Sequence, residues 1–284
     1  MKILVTGVKG QLGYDLCRML NARGIENRGV DIEDFDITDR GATLRYITDY
    51  KPDAIIHCSA FTAVDRAEDE VELCTRVNAE GPANIAAAAK LLGAKMMYIS
   101  TDYVFPGTGT EAYCPEDPTG PLSVYGKTKL MGEEAVRMHC ENHFIVRISW
   151  VFGINGNNFV KTMLRLSQTR TDLNVVCDQI GSPTYTYDLA RLLCDMIVTD
   201  RFGTYHATNE GLCSWAEFAA EIMRLSGKQT VIHPIPTSEY PTRAVRPLNS
   251  RMSKDKLEEN GFMRLPTWQD ALSRYLEELN AAEG

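Results

Sequence analysis

The first thirteen residues restrict this chain more than any other stretch. Residues 2–6, Lys-Ile-Leu-Val-Thr, form a short apolar run suited to a strand buried on both faces of a parallel sheet. Gly7, Gly10 and Gly13 follow at once, and an amphipathic run from Gln11 to Leu20 begins among them. A dinucleotide-binding turn needs glycines where the backbone turns tightly, where a pyrophosphate comes close and where the helix packs on the sheet. The helix start then offers free N–H groups and the positive end of its dipole to the phosphates. The spacing departs from G-x-G-x-x-G, so the reading rests on the order strand, glycines, helix at the chain start. A second apolar piece ends at Val30-Asp31. An acidic residue about twenty positions past the glycines suits a ribose 2′-hydroxyl and disfavours a 2′-phosphate. Arg28 stands close enough in sequence to accommodate a phosphate, so the reading is NADH over NADPH with dual use left open.

The rest of the chain alternates. Strand-like apolar runs lie at 2–6, 27–30, 53–58, 95–100, 143–149 and 173–177, and helical runs near 10–23, 39–49, 70–92, 124–140, 157–170 and 186–198. Such alternation implies parallel strands with crossover helices, an α/β doubly wound parallel sheet. The 70–92 stretch is Ala-rich and reads as helix despite Gly81-Pro82. Its Asn78 is polar on a helix that should pack against the sheet. Beyond about residue 200 the pattern loosens. A strand at 204–207, a capping box at Ser214-Trp215-Ala216-Glu217 opening a helix to Leu225, a strand at 231–235, a Pro- and Arg-rich loop at 236–252 and a last helix from Trp268 to Leu279 remain. The expected division is a dinucleotide-binding domain at 1–150, extended by elements near 172–200. A smaller C-terminal substrate-binding part at 151–284 is interleaved with it and closes over the strand ends.

Chemistry is concentrated in the middle. Ser100-Thr101-Asp102-Tyr103 ends an apolar run, and Tyr125 and Lys129 stand four apart at the start of a helical pattern. Four residues is about one helical turn, so phenol and ammonium share a face. A cation beside a phenol favours the phenolate, which makes Tyr125 a proton donor usable near neutral pH. With Thr101 holding a carbonyl oxygen, the set reads as carbonyl reduction or alcohol oxidation. Taken alone, the pair is also what a half-buried Tyr and a solvated Lys would look like; the N-terminal pattern decides for chemistry.

Composition excludes other classes. Of 284 residues, 44% are hydrophobic and 24% charged, ordinary for a globular protein. A net charge of −8 argues against nonspecific nucleic-acid binding. No apolar run is long enough to span a membrane, and a strand beginning at residue 2 leaves no room for a signal peptide. The eight Cys lack metal-like spacing and read as reduced thiols of a cytoplasmic protein. The His are isolated, so no metal site is expected.

The motifs together resemble the extended short-chain dehydrogenase/reductases, and within them the dTDP-4-dehydrorhamnose reductase family. The resemblance rests on Gly7-x-x-Gly10-Gln11-Leu12-Gly13, Asn78-x-x-Gly-Pro-x-Asn84, Ser100-Thr101-Asp102-Tyr103-Val104-Phe105 and Tyr125-Gly-Lys-Thr-Lys129. Arg147-x-Ser-Trp150-Val-Phe-Gly153, Asp178-Gln179-x-Gly-x-Pro-Thr184 and Arg246-Pro-x-Asn-Ser250 complete it, in order over nearly the whole chain. It implies a Rossmann-like fold and NADH- or NADPH-dependent reduction of the 4-keto group of dTDP-6-deoxy-L-lyxo-4-hexulose to dTDP-L-rhamnose. It implies Thr101, Tyr125 and Lys129 as the catalytic set. For the cofactor it implies Gly7, Gly10, Gln11, Leu12, Gly13, Asp31, Asp36, Ile37, Ala60, Phe61, Thr62 and Ile99, with Tyr125 and Lys129. For the sugar nucleotide it implies Thr62, Thr101, Asp102, Trp150 and Arg246, while Arg243 and Arg251 join Arg246 as candidates for its diphosphate. Trp150 also reads as simple core, since it follows an apolar strand.

Some relatives are described with a metal at a dimer contact. No acidic cluster here supports one, and Tyr187 stands where a carboxylate would be wanted. A homodimer stays open. A 4,6-dehydratase would want a second carboxylate after Asp102, where Tyr103 stands. A 4-epimerase shares the whole triad. A regulatory subunit of the methionine adenosyltransferase type shares the fold, and the intact triad leans against it.

Overall fold

The structure is a computed structural model that describes residues 1–283. Five strands, β1 (Lys2–Thr6), β2 (Glu26–Val30), β3 (Ala54–His57), β4 (Lys95–Thr101) and β5 (His143–Ile148), join a sixth, Gly203–His206, in one parallel sheet. The order across it is Gly203–His206, β5, β4, β3, β1, β2. β1 and β3 lie inside the sheet with nearly every side chain buried, so they read as unbroken apolar runs. β2 lies at the edge, and Glu26, Asn27 and Arg28 keep it polar. The strand order reverses between β1 and β3, and the carboxyl ends of parallel strands at such a point open a crevice.

Helices cover both faces. Leu12, Leu16 and Leu20 of the helix Gln11–Ala22 and Leu189, Leu193 and Ile197 of the helix Thr186–Ile197 pack on Ile3, Val5 and Ile56. On the other face Ile47, Ile85 and Ala89 pack on Leu4 and Ile55. A further core gathers Phe152, Val160, Leu173, Phe218, Trp268 and Tyr275, drawn from residues beyond 150.

One strand expected of the central sheet lies elsewhere. Residues 173–177 fall on Asp172–Val176, which pairs in parallel with Val231–Ile235 as a separate ribbon. The free edge of β5 is taken by Gly203–His206, with Thr204 opposite Ile145. Asp172 and Asn174 are exposed while Leu173 and Val175 are buried, an alternation that suits a ribbon lying on one core.

The long helix at 70–92 is interrupted for a physical reason. Val71–Thr75 is α-helical, Arg76–Glu80 is a π turn and Gly81–Leu92 resumes the α-helix. Pro82 has no N–H for the carbonyl four residues back, and its ring would strike that carbonyl. The π turn widens the spiral there, and the Gly81 N–H reaches back to the Arg76 carbonyl. The orphaned Asn78 carbonyl accepts instead from the Tyr98 hydroxyl at 3.2 Å. The same hydroxyl lies 3.3 Å from the Lys129 carbonyl. The helix Val124–His139 presses closely here, since a Cβ on Gly132 would stand 2.3 Å from both the Asn78 oxygen and the Tyr98 hydroxyl.

That helix is also tied to the sheet by charge. Glu133, fully buried, accepts from Arg147 Nε and Nη2 at 2.8 Å each, from Ser100 at 2.6 Å and from Arg137 at 2.7 Å. Burial alone would raise its pKa, yet the arginines and Ser100 outweigh burial and hold it below the usual carboxylate value. Among the described residues no helix is long and apolar enough to cross a membrane.

Candidate active site

A cavity of about 1120 Å³ opens at the carboxyl ends of the strands. Its floor begins with the glycine turn. Gly7 has φ +71°, and a Cβ there would lie 2.7 Å from the Ser59 backbone nitrogen. A Cβ on Gly13 would lie 2.2 Å from the Gly7 carbonyl oxygen, so helix and strand meet backbone to backbone. Gly10 is the N-cap and offers no side chain to the first turn, which leaves N–H groups free for an anion. This cradle, set in a crevice of that size, fits the pyrophosphate of a dinucleotide.

Asp31 closes β2 beside it. One carboxylate oxygen accepts from the Lys9 N–H at 2.9 Å and the other from the Ile32 N–H at 2.9 Å. Lys9 pairs with Glu33, which raises the lysine pKa. Arg28, read as a phosphate candidate, lies 4.4 Å over the Tyr50 ring and is not on the cavity wall. Asp36, Ile37, Ala60, Phe61, Thr62 and Ile99 all line the cavity. Asn78 shapes the wall after β3. Its amide oxygen accepts from the Phe61 N–H at 2.8 Å, and its amide nitrogen donates to the Phe61 carbonyl at 3.1 Å. It is therefore a satisfied buried polar residue that also pins a cleft loop.

Thr101 ends β4, and Ser123 caps the helix Val124–His139 by accepting from the Gly126 N–H at 3.1 Å. That start brings Tyr125 and Lys129, one turn apart, to the same cavity as Thr101. Lys129 is buried. Its ammonium donates to the Ile99 carbonyl at 2.7 Å and lies 4.1 Å from the Tyr98 ring centre. Tyr125 meets the edge of Tyr103 at 5.4 Å between ring centres.

The electrostatics correct one expectation. Spacing suggested that the Lys129 charge would govern the phenol. Burial governs instead: it holds Tyr125 well above the usual phenol range, against a hydrogen bond with Thr101 that lowers it. Burial likewise brings Lys129 down to about 7, against the opposing pull of Glu133. Asp102 is raised by burial to about 6, although Ser250 donates to it at 2.5 Å and Thr101 at 3.0 Å.

Trp150 lines the cavity rather than only filling the core, and Trp215 stacks on it. The three arginines do not gather on the wall. Arg246 pairs with Asp65 and donates to the Tyr103 hydroxyl at 3.0 Å, Arg243 pairs with Asp69, and Arg251 donates to Asn249 at 3.0 Å. Pro247, next to Arg246, does line the cavity. Sequence reasoning passed over Ser59, Arg66, Asn157, Gln179 and Trp215, which also line it. Gln179 had a signal in the Asp-Gln-x-Gly motif. Trp215 stood inside a capping box read only as a helix start.

A parallel sheet whose switch point holds a glycine turn and a Thr, Tyr, Lys set defines the dinucleotide-dependent short-chain dehydrogenase/reductase class. The family model described as RmlD substrate binding domain matches residues 1–281, and the chain belongs to that family. A spore coat polysaccharide biosynthesis protein of Bacillus subtilis, SpsK, is 42% identical over 281 residues, covering 99% of each chain. A solved dTDP-4-dehydrorhamnose reductase from Clostridium acetobutylicum superposes with a TM-score of 0.97 at 42% identity, over 99% of this chain and 100% of that one. Another from Bacillus anthracis, in complex with NADP, gives a TM-score of 0.95 at 42% identity over 98% and 100%.

Proposed function

We propose that this protein reduces the 4-keto group of a dTDP-4-dehydro-6-deoxy-L-sugar, at the expense of NADH or NADPH, to give dTDP-L-rhamnose. The observation that carries the reading is the convergence of Thr101, Tyr125 and Lys129 on the crevice that also holds the Gly7 turn. Residues 1–150, with elements near 172–200, hold the cofactor, and the remainder mainly holds the sugar nucleotide. Gly7, Gly10, Gln11, Leu12 and Gly13 bind the pyrophosphate, Asp31 the ribose hydroxyls, and Asp36, Ile37, Ala60, Phe61, Thr62 and Ile99 the rest of the dinucleotide. The nicotinamide, when bound, supplies the hydride that goes to C4. Tyr125 gives its phenolic proton to the C4 oxygen, which the Thr101 hydroxyl holds in line. A phenol kept protonated by burial is the form a reduction needs. Lys129 donates to the ribose and lends positive charge to the phenolate left behind, while Glu133 favours that charge. Thr62, Asp102 and Trp150 face the sugar.

Arg246 acts on the substrate side through Tyr103, whose hydroxyl it holds. Free thiols at all eight cysteines fit a reducing cytoplasm. Solution scattering of the native chain would decide the homodimer.

The direct test is NADH oxidation with the dTDP-4-keto-6-deoxy-L-sugar. Stoichiometric consumption supports the reading. Interconversion of C4 epimers without net NADH loss overturns it in favour of an epimerase. Cofactor choice gives a second prediction. Asp31 places a carboxylate where a 2′-phosphate would sit, and Lys9, whose N–H it accepts, has its ammonium paired with Glu33. Loss of a charge-assisted hydrogen bond in Asp31→Ala should raise the KM for NADH by about ten- to a hundredfold. The KM for NADPH should stay level or fall. Equal increases for both cofactors would remove Asp31 from the ribose.

A further inference from the structure

Two indoles meet on the cavity wall. Trp150 follows β5, Trp215 opens the helix Trp215–Leu225, and both line the cavity. Their rings stack with centres 3.7 Å apart and planes 13° from parallel. Trp150 holds φ at +50°, a region that a bulky residue occupies at a steric cost and keeps only where its surroundings impose it.

Those surroundings are specific. A Cβ on Gly181 would come within 2.9 Å of the Trp150 ring, so a glycine there lets the indole lie down. The Trp150 carbonyl accepts from the Thr184 N–H at 3.1 Å. Trp215 covers the ring, and Trp215 is itself held firmly. Ser214 accepts from the Glu217 N–H at 3.1 Å, and Glu217 accepts from the Ser214 N–H at 2.7 Å. Cys213–Ser214 pairs antiparallel with Ile180–Gly181, so one strand pair holds the glycine under Trp150 and leads directly into Trp215. The Phe159 ring packs on Trp215 at 4.6 Å. The stack thus joins the chain leaving β5 to the C-terminal core.

We propose that Trp215 is a positioning residue: it holds the Trp150 indole as the aromatic wall against which the sugar of the substrate packs, and so sets sugar-nucleotide affinity. The inference rests on the reading of the cleft as a sugar-nucleotide reductase. A rigid indole offers a flat apolar face to the C–H face of a pyranose. Trp215 carries no acid or base that could move the proton, so its contribution falls on binding in ground and transition states alike, and appears in KM.

The test compares Trp215→Leu, which keeps bulk without a ring, with Trp215→Phe, which keeps a ring. Trp215→Leu should raise the KM for the dTDP-keto-sugar about three- to tenfold. Its kcat should stay within about twofold of wild type and its KM for NADH should not change. Trp215→Phe should recover most of the loss. The chain has only three tryptophans, so stacked indoles should give a near-ultraviolet circular dichroism couplet in the wild type that both variants lose. An unchanged sugar KM in Trp215→Leu overturns the inference, as does a fall in kcat with a parallel rise in the NADH KM. A folded wild type without the couplet overturns it as well. Absence of wild-type turnover sinks the reading of the cleft instead, and the couplet still reports on the indole pair.

Discussion

Tyr125→Phe should lower turnover of the dTDP-keto-sugar by about two to four orders of magnitude, the range typical of a lost general acid. The variant removes one oxygen from a half-buried ring that packs on Tyr103 and leaves the glycine turn untouched. NADH affinity, read by fluorescence titration, should therefore stay within about threefold of wild type. The phenol faces Thr101, and the hydrogen bond between them lowers a pKa that burial raises. Thr101→Val should accordingly cost less than Tyr125→Phe, since it removes an orienting group and leaves the proton in place. Near-wild-type turnover in Tyr125→Phe would assign the proton to another donor. Asp102 would then be the first to examine, because burial raises its carboxyl to about 6.

The second large effect is on stability. Glu133 is fully buried against Arg147, which is 2% exposed, and Glu133→Gln leaves the guanidinium without its counter-charge. Breaking such a pair on one side costs about 3–5 kcal/mol. Urea unfolding should show a lower midpoint at an unchanged slope. Arg147 would keep its bond to the Pro115 carbonyl at 3.1 Å, too little to compensate a buried charge. Adding Arg147→Met to Glu133→Gln should restore part of the loss, because a buried pair is cheaper to delete whole than to halve. The pH dependence has a definite sign. The folded pKa of Glu133 is depressed below its ordinary 4.5, so its contribution is complete above that value and fades as pH falls through the folded one. The gap between wild type and Glu133→Gln should narrow in acid. A gap that widens below pH 4.5 would refute the ion-pair account.

Much of the fold could be read from the sequence because period and punctuation agreed. The buried run at 2–6, the glycines and the amphipathic helix each argue for the same βα unit. Tyr125 and Lys129 were equally legible, since a four-residue spacing is a local fact. What sequence could not supply was depth. The spacing of Tyr125 and Lys129 says that they are neighbours, whereas the direction of their pKa shifts depends on burial by the whole fold. In sequence Arg243 and Arg246 read as candidates for a diphosphate, yet their carboxylate partners Asp69 and Asp65 lie far away along the chain. The ribbon of Asp172–Val176 with Val231–Ile235 is also a long-range pairing, and its apolar residues look the same in either sheet.

The Tyr98 hydroxyl, placed between the carbonyls of Asn78 and Lys129, makes two walls of the crevice behave as one piece. Asn78 carries the Phe61 loop, and Lys129 stands on the helix that bears Tyr125. Loop and helix therefore cannot part without abandoning polar groups that water does not reach. Widening of the crevice around a bulky guest falls to the opposite bank, where Pro247 stands on a loop.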